Sequence, residues 1–129
     1  EMLRVAKHKY PNLKVRLGEF LKIPFNDKVF DIIVSTYAFH HLNSEEKSLA
    51  IKEMIRVLKD NGKIVIGDLM FKNRIEEDGI LKELTEAQVD EIKDEYYSYI
   101  DELESEFMKY NKKLNCEKID RFISIIEVN

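Results

Sequence analysis

The stretch FDIIVSTYAFHHL, residues 30–42, decides the fold prediction because an apolar run ends within it and a polar segment follows. Its first five residues, Phe30–Val34, form an apolar, partly β-branched run that is interrupted only by Asp31 and shows no polar alternation after it. Such a run is typical of a strand that is covered on both faces of a parallel sheet. Two of the chain's three histidines, His40 and His41, follow this strand directly.

A helix is predicted immediately after this stretch. Asn43 has the side chain of a helix N-cap, and Glu46, three residues later, can close a capping box. We expect the helix to run to about Lys59 and to end at Asn61-Gly62, because both residues tolerate the left-handed conformation of a C-cap. Its predicted buried stripe consists of Ala50, Met54, Ile55 and Leu58.

A second buried strand, Lys63–Ile66, completes a strand–helix–strand unit over residues 30–67. Such a unit is right-handed almost without exception, and ligands bind beyond the carboxyl ends of its strands. Ser35–His41 and Gly67–Leu69 both lie at those ends. The two histidines are therefore expected at the rim where a ligand binds.

The flanking segments extend the α/β pattern. Leu13–Leu17 alternates apolar and polar residues, which predicts another strand. Residues 72–110 are predicted to be mostly helical, with a solvated acidic face and a break near Ser98–Asp101. Leu114–Ile119 and Phe122–Val128 are predicted to be two strands joined by a tight turn.

Composition narrows the functional classes. The chain has 129 residues, 44% of them apolar, which suits one small domain. A net charge of -4 argues against nucleic-acid binding, which needs a basic face. The lone Cys116 cannot form an internal disulfide, and no apolar run is long enough to span a membrane. We therefore expect a cytoplasmic protein. Because Glu1 precedes Met2, the chain is also expected to be the later part of a longer protein.

Four segments taken together resemble the second half of a class I S-adenosylmethionine-dependent methyltransferase, and are most similar to small uncharacterised bacterial members. They are GEF (18–20), FDIIVSTYAFHHL (30–42), EMIRVLKDNGKIVIGD (53–68) and EYYSYIDELESEFMKYN (95–111). The resemblance implies a Rossmann-like α/β sheet of seven strands in the order 3-2-1-4-5-7-6, with strand 7 antiparallel. Leu13–Leu17 would be strand 3, the strands of the central unit would be strands 4 and 5, and the final pair would be strands 6 and 7.

The resemblance also implies a cofactor-binding edge. Glu19 occupies the position whose carboxylate accepts a hydrogen bond from the adenine amino group, and Phe20 lies at a position packed near the adenine. The backbone of Ser35, Thr36 and Tyr37 would pass the methionine part of S-adenosylmethionine. The alternative for Glu19 is a solvated loop residue beside a buried phenylalanine.

His40 and His41 match the family's HHL segment. One of them is a candidate general base or hydrogen-bond partner of the acceptor, because an imidazole exchanges protons near neutral pH. Alternatively, one histidine packs against the following helix, because methyl transfer from a sulfonium often needs only proximity and alignment. No metal site is predicted, since adjacent residues such as these point in different directions.

Part of the family pattern is absent. The family binds its cofactor on a glycine-rich loop after strand 1 and on an acidic residue after strand 2. The chain's four glycines form no G-x-G-x-x-G motif. Residues 1–129 are therefore predicted to be one partial methyltransferase domain lacking strands 1 and 2. The explanations, in order of preference, are residues outside the chain, a second polypeptide or a rearranged sheet.

The resemblance implies methyl transfer from S-adenosylmethionine to a small-molecule acceptor, with residues 72–110 shaping the acceptor pocket. The expected partners are that acceptor and either a second copy of the chain or an N-terminal portion, but neither nucleic acid nor membrane. The main alternative is a non-catalytic fragment or binding module that keeps the fold pattern. A different nucleotide-binding α/β protein is a third hypothesis, which does not explain the co-occurring segments.

Overall fold

The computed structural model describes residues 1–129 without a gap. Five α-helices and five strands form in the α/β arrangement that the sequence predicts. The helices are α1 (Met2–Lys9), α2 (Ser44–Val57), α3 (Arg74–Leu81), α4 (Glu86–Lys93) and α5 (Ile100–Met108); the strands are β1 (Phe30–Thr36), β2 (Leu58–Phe71), β3 (Ser98–Tyr99), β4 (Leu114–Lys118) and β5 (Ile123–Val128). A 3₁₀ turn, Phe39–His41, follows β1.

The sheet has the strand order β1-β2-β5-β4. Strand β1 pairs parallel to β2, whereas β5 runs antiparallel to both β2 and β4. The short β3 pairs parallel to the end of β2. This order is the 4-5-7-6 half of the implied seven-stranded sheet, so that prediction is confirmed, including the antiparallel strand 7.

The apolar core lies on one face of the sheet. The core consists of buried side chains from α2 and α5 packed on alternate residues of β2 and β5. On the opposite face Ile32 and Val34 of β1 are 58% and 64% exposed. The prediction that this strand is covered on both faces is therefore wrong. An unbroken apolar run indicates a two-sided strand only when a second layer of helices is present.

Leu13–Leu17 forms no strand, and that prediction is also wrong. The segment lies between α1 and a tight turn at Glu19–Lys22, and Leu17 is almost fully exposed. A strand needs a neighbour to accept its backbone hydrogen bonds. The implied neighbour of this segment is strand 2, which the chain does not contain.

The start of α2 is confirmed and its end is not as predicted. Asn43 and Glu46 form the reciprocal capping box. The helix ends at Val57, and the chain enters β2 at once, so Asn61-Gly62 lies in a strand and neither residue has a positive φ. Gly62 is required for a different reason, since a Cβ there would lie 2.9 Å from the Asp31 carbonyl oxygen.

The C-terminal predictions are confirmed. Residues 72–110 are mostly helical, and the expected break is the short β3. The last two strands form a hairpin in which the Asp120 carboxylate accepts hydrogen bonds from the backbone N–H groups of Phe122 and Ile123. None of the helices combines the length and the apolar character needed to cross a membrane.

Candidate functional site

The chain turns sharply at the carboxyl end of β1. Tyr37 has a positive φ of 52°, and its backbone N–H donates to the Gly67 carbonyl oxygen of the neighbouring strand at 2.9 Å. The turn directs Phe39 into the core and is followed by His40. The carboxyl end of β1 is therefore joined directly to β2. Gly67–Leu69, which the sequence places after the strand, lie within β2, because β2 continues to Phe71 beyond its pairing with β1.

His40 is held by Asp68, which lies in β2 directly after Gly67, the last residue of β2 that pairs with β1. The Asp68 carboxylate is fully buried and accepts hydrogen bonds from the His40 backbone N–H at 2.8 Å and from the Leu69 backbone N–H at 2.8 Å. It also lies 2.7 Å from His40 Nδ1. A carboxylate cannot donate, so we assign the proton of the neutral ring to Nδ1. Nε2 therefore presents its lone pair on the other side of the ring.

His41 and Glu95 lie on that other side. One carboxylate oxygen of Glu95, Oε2, is 3.7 Å from His40 Nε2 and 3.9 Å from His41 Nδ1. The two imidazole rings are 4.2 Å apart between centroids. The expectation that adjacent histidines point in different directions is wrong here, because the 3₁₀ turn brings both rings to one side of the chain.

The segment that carries Glu95 is fixed from two directions. The Tyr96 backbone N–H donates to the His40 carbonyl oxygen at 3.0 Å, and the Lys47 ammonium donates to the Tyr96 carbonyl oxygen. Lys47 is buried, and this burial lowers its pKa to about 8. The position of Glu95 opposite the two histidines is therefore set by α2 and the 3₁₀ turn.

A cavity of about 550 Å³ adjoins Glu95. Its walls combine apolar and aromatic side chains with carboxylates and one amide, and no lysine or arginine lines it. The lining residues are Leu69, Leu84, Gln88, Glu91, Ile92, Asp94, Glu95, Tyr97 and Phe122. Tyr97 stacks on Phe71 with a centroid distance of 5.1 Å, and burial raises the pKa of its hydroxyl. Helix α4 and the residues after it thus form one wall of a cavity beside the histidines.

The residues predicted to face a cofactor lie beside the 3₁₀ turn. Ser35 ends the buried part of β1, and its Oγ is buried without a hydrogen-bond partner, whereas Thr36 and Tyr37 are exposed. Phe20 packs edge-on against Phe39 at 5.9 Å, while the adjacent Glu19 is exposed and makes no ion pair.

The loop after Glu19 and Phe20 is attached to α2 by a charged cluster. The Glu53 carboxylate accepts a hydrogen bond from the Ile23 backbone N–H, and Arg56 donates to the carbonyl oxygens of Ile23 and Phe25. Hydrogen bonds from Arg56 and Ile23 lower the pKa of Glu53 to about 2. The loop therefore has a defined position although it contains no regular element.

Asp68 and Glu95 were missed from the sequence. Asp68 carried a usable signal, since it is an acidic residue two positions after the predicted strand Lys63–Ile66, close to the expected ligand-binding edge of the sheet. Glu95 had no such signal, because it belongs to an acidic run that resembles a solvated helix face. Its contact with the histidines depends on how residues 94–97 fold back onto the 3₁₀ turn.

Comparison with known proteins supports the family resemblance. A family model described as a methyltransferase domain matches residues 1–66. The chain is 36% identical to uncharacterised methyltransferases from Alkaliphilus oremlandii and Oceanobacillus iheyensis over 98% and 97% of its length, respectively. It covers 60% and 61% of those proteins, and so spans less than two thirds of the relatives' length.

Solved structures share the fold. A protein from Pyrococcus horikoshii superposes with a TM-score of 0.72 and 24% identity, over 99% of this chain and 66% of that one. The YcgJ protein from Bacillus subtilis gives a TM-score of 0.72 at 19% identity, over 98% of this chain and 76% of that one. A complex described as DhpI with SAM and HEP gives a TM-score of 0.70 at 10% identity, over 99% of this chain and 63% of that one.

Proposed function

The chain belongs to the class I S-adenosylmethionine-dependent methyltransferase family, and from this premise we propose that it takes part in methyl transfer from S-adenosylmethionine to a small-molecule acceptor. The observation that carries this proposal is the contact between the residues that follow β1 and residues Gly67 and Asp68 of β2. There the Asp68–His40 pair, Ser35 and the cavity beside Glu95 lie at one edge of the sheet. This edge is where open α/β sheets bind their ligands.

This chain provides part of a cofactor site. The Glu19 carboxylate is exposed and makes no ion pair, so it is available to a polar ligand, and the backbone of Ser35, Thr36 and Tyr37 lies at the same edge of the sheet. These groups suit the methionine and adenine ends of S-adenosylmethionine. The glycine-rich loop and the ribose-binding acid of the family are not among residues 1–129. When bound, S-adenosylmethionine supplies a methyl group on a positively charged sulfur.

We assign His40 the role of general base. Asp68 holds the ring with Nδ1 protonated, so Nε2 is the atom that accepts a proton from an acceptor hydroxyl or amine. Glu95, 3.7 Å away, stabilises the imidazolium that forms. His41 is exposed, and we propose that it donates or accepts a hydrogen bond with the acceptor.

The cavity beside Glu95 is our proposed acceptor pocket. Its aromatic and aliphatic walls suit an apolar ring or chain, and Glu91, Asp94 and Glu95 give its rim a negative charge. A carboxylate or phosphate on the acceptor would be repelled there. We therefore propose a neutral or positively charged small molecule as the acceptor.

Titration with S-adenosylhomocysteine, the product of the transfer, tests the cofactor assignment without a known acceptor. We expect Glu19→Ala to weaken its binding by about tenfold or more in the longest polypeptide that carries this sequence, because one charge-assisted hydrogen bond is lost. Isothermal titration calorimetry measures the affinity. Glu45→Ala, which removes an exposed carboxylate from α2, is the matched control.

Equal affinities in wild type, Glu19→Ala and Glu45→Ala would contradict the role of Glu19 while leaving the family function intact. Absence of any S-adenosylhomocysteine binding to that polypeptide would instead favour a non-catalytic binding module that retains the fold.

A further inference from the structure

Three side chains beside the 3₁₀ turn present metal-ligating atoms to a common point. One ring nitrogen each from His40 and His41 and a carboxylate oxygen of Glu95 all lie within 4.8 Å of one another. Two imidazole nitrogens and one carboxylate form a ligand set typical of Zn²⁺ sites that keep one coordination position open. His40 and His41 are adjacent in sequence, whereas Glu95 is distant. The three side chains lie together because residues 94–97 fold back onto the 3₁₀ turn.

Asp68 prepares His40 for this role. A histidine that binds a metal almost always donates its other ring N–H to a carboxylate or carbonyl, which fixes the tautomer and strengthens the ligand. Asp68 accepts from His40 Nδ1 at 2.7 Å and is fully buried, so the Nε2 lone pair points away from it. This arrangement is a carboxylate–histidine pair with its free nitrogen directed at the cluster.

The electrostatics of the cluster favour a cation. In the neutral ring with Nδ1 protonated, His40 Nε2 is an acceptor, and it lies 3.7 Å from Oε2 of Glu95. The nearest charged group to Nε2 of the buried His40 ring is thus the Glu95 carboxylate, which is also an acceptor. Two acceptors in that arrangement repel each other until a positive charge lies between them.

Access and rigidity also suit an ion. The side chain of His40 is 10% exposed, whereas those of His41 and Glu95 are 66% and 39% exposed. An ion can therefore enter from solvent and bind against a fixed inner ligand. The Tyr96 N–H to His40 carbonyl bond and the Lys47 to Tyr96 bond keep Glu95 in place independently of any ion.

We propose that His40, His41 and Glu95 bind one divalent transition-metal ion of the zinc class, with Asp68 as the outer partner of His40. This goes beyond the proposed methyl transfer and does not depend on it. The ion would occupy the same Nε2 lone pair that the proposed base needs. The metal-bound form and the proton-accepting form of His40 are therefore mutually exclusive.

Titration of the 129-residue chain with Co²⁺ and Zn²⁺ tests the site without any methyl transfer. Cys116 is exposed and could bind either metal, so the experiment uses the Cys116→Ser background. We expect one Co²⁺ per chain, with the visible absorption of a four- or five-coordinate ion, and displacement by one equivalent of Zn²⁺. Competition with a chromophoric chelator gives the affinities.

Variants of the two accessible ligands distinguish this site from incidental binding. His41→Asn and Glu95→Gln are expected to weaken Zn²⁺ binding by about tenfold or more, an effect at least as large as loss of an outer partner. His8→Asn and Glu104→Gln are the matched controls, one a distant exposed histidine and the other an exposed carboxylate of α5, and are expected to leave the affinity unchanged. Far-UV circular dichroism verifies that each variant is folded.

Two results would overturn the proposal. One is the absence of stoichiometric Co²⁺ or Zn²⁺ binding to the folded chain, which would leave a proton or a water as the group between His40 and Glu95. The other is binding that the site variants and the controls weaken equally.

Discussion

At the residue scale, the site depends on polar groups placed inside the fold. Asp68, His40 and Lys47 are all buried, and each has a specific partner. The sequence indicated His40 through its position after a strand, but it gave no indication that Lys47 is buried, since lysine almost always remains exposed. The buried Lys47 ammonium donates to the Tyr96 carbonyl oxygen, and this partner comes close to it only in the folded chain.

Lys47 should make stability depend on pH. Its folded pKa of about 8 lies below the ordinary 10.5, so the unfolded chain binds more protons between these values. Stability from this group therefore rises with pH in that window. Between about pH 7.5 and about pH 9.5, we expect the free energy of unfolding of wild type to gain about 1–2 kcal/mol relative to Lys47→Met. Urea denaturation at both pH values measures this difference.

Lys14→Met is the control for this pH effect, because Lys14 is exposed. It should follow the wild-type pH dependence. If Lys47→Met also follows it, Lys47 titrates near its ordinary value and the side chain is more solvated than the structure indicates.

At the element scale, local signals predicted most boundaries. The capping box at Asn43 and the tight turn between the last two strands each depend on neighbouring residues, and each prediction is confirmed. The end of α2 was mispredicted because Asn61-Gly62 is an ordinary helix-stop signal. The structure uses Gly62 instead for close packing against the Leu58 side chain and the Asp31 carbonyl oxygen of β1.

Two glycine substitutions test this interpretation of Gly62. A Cβ at Gly62 would lie 2.5 Å from Leu58 Cδ1 and 2.9 Å from the Asp31 carbonyl oxygen, so we expect Gly62→Ala to destabilise the chain by about 1–3 kcal/mol. Gly79 lies in α3 with open space around it, so Gly79→Ala should stabilise by about 0.5–1 kcal/mol through helix propensity. Urea denaturation of both variants gives opposite signs. A neutral Gly62→Ala would mean that Leu58 moves aside freely.

At the scale of the whole molecule, two mispredictions have one cause. Leu13–Leu17 was predicted to be a strand and β1 was predicted to be covered on both faces. A strand needs a paired neighbour and a covered face needs a second layer, and residues 1–129 supply neither. The pairings of the 4-5-7-6 half of the implied seven-stranded sheet all lie within residues 30–128. Sequence patterns that depend on a neighbouring layer cannot show whether that layer is present.

The outer edge of β1 is consequently unpaired, and it carries the exposed Ile32 and Val34. An exposed apolar edge strand is a template for pairing with another chain. We expect the 129-residue chain to self-associate in a concentration-dependent manner, as sedimentation velocity can measure.

Val34→Lys should weaken this association by about tenfold or more, because it removes roughly 1.5 kcal/mol of apolar burial and adds a charge. Ile75→Lys introduces the same charge at an exposed isoleucine of α3, away from the edge, and should leave the association unchanged. Equal effects of the two substitutions would show that general surface hydrophobicity, rather than the β1 edge, drives the contact.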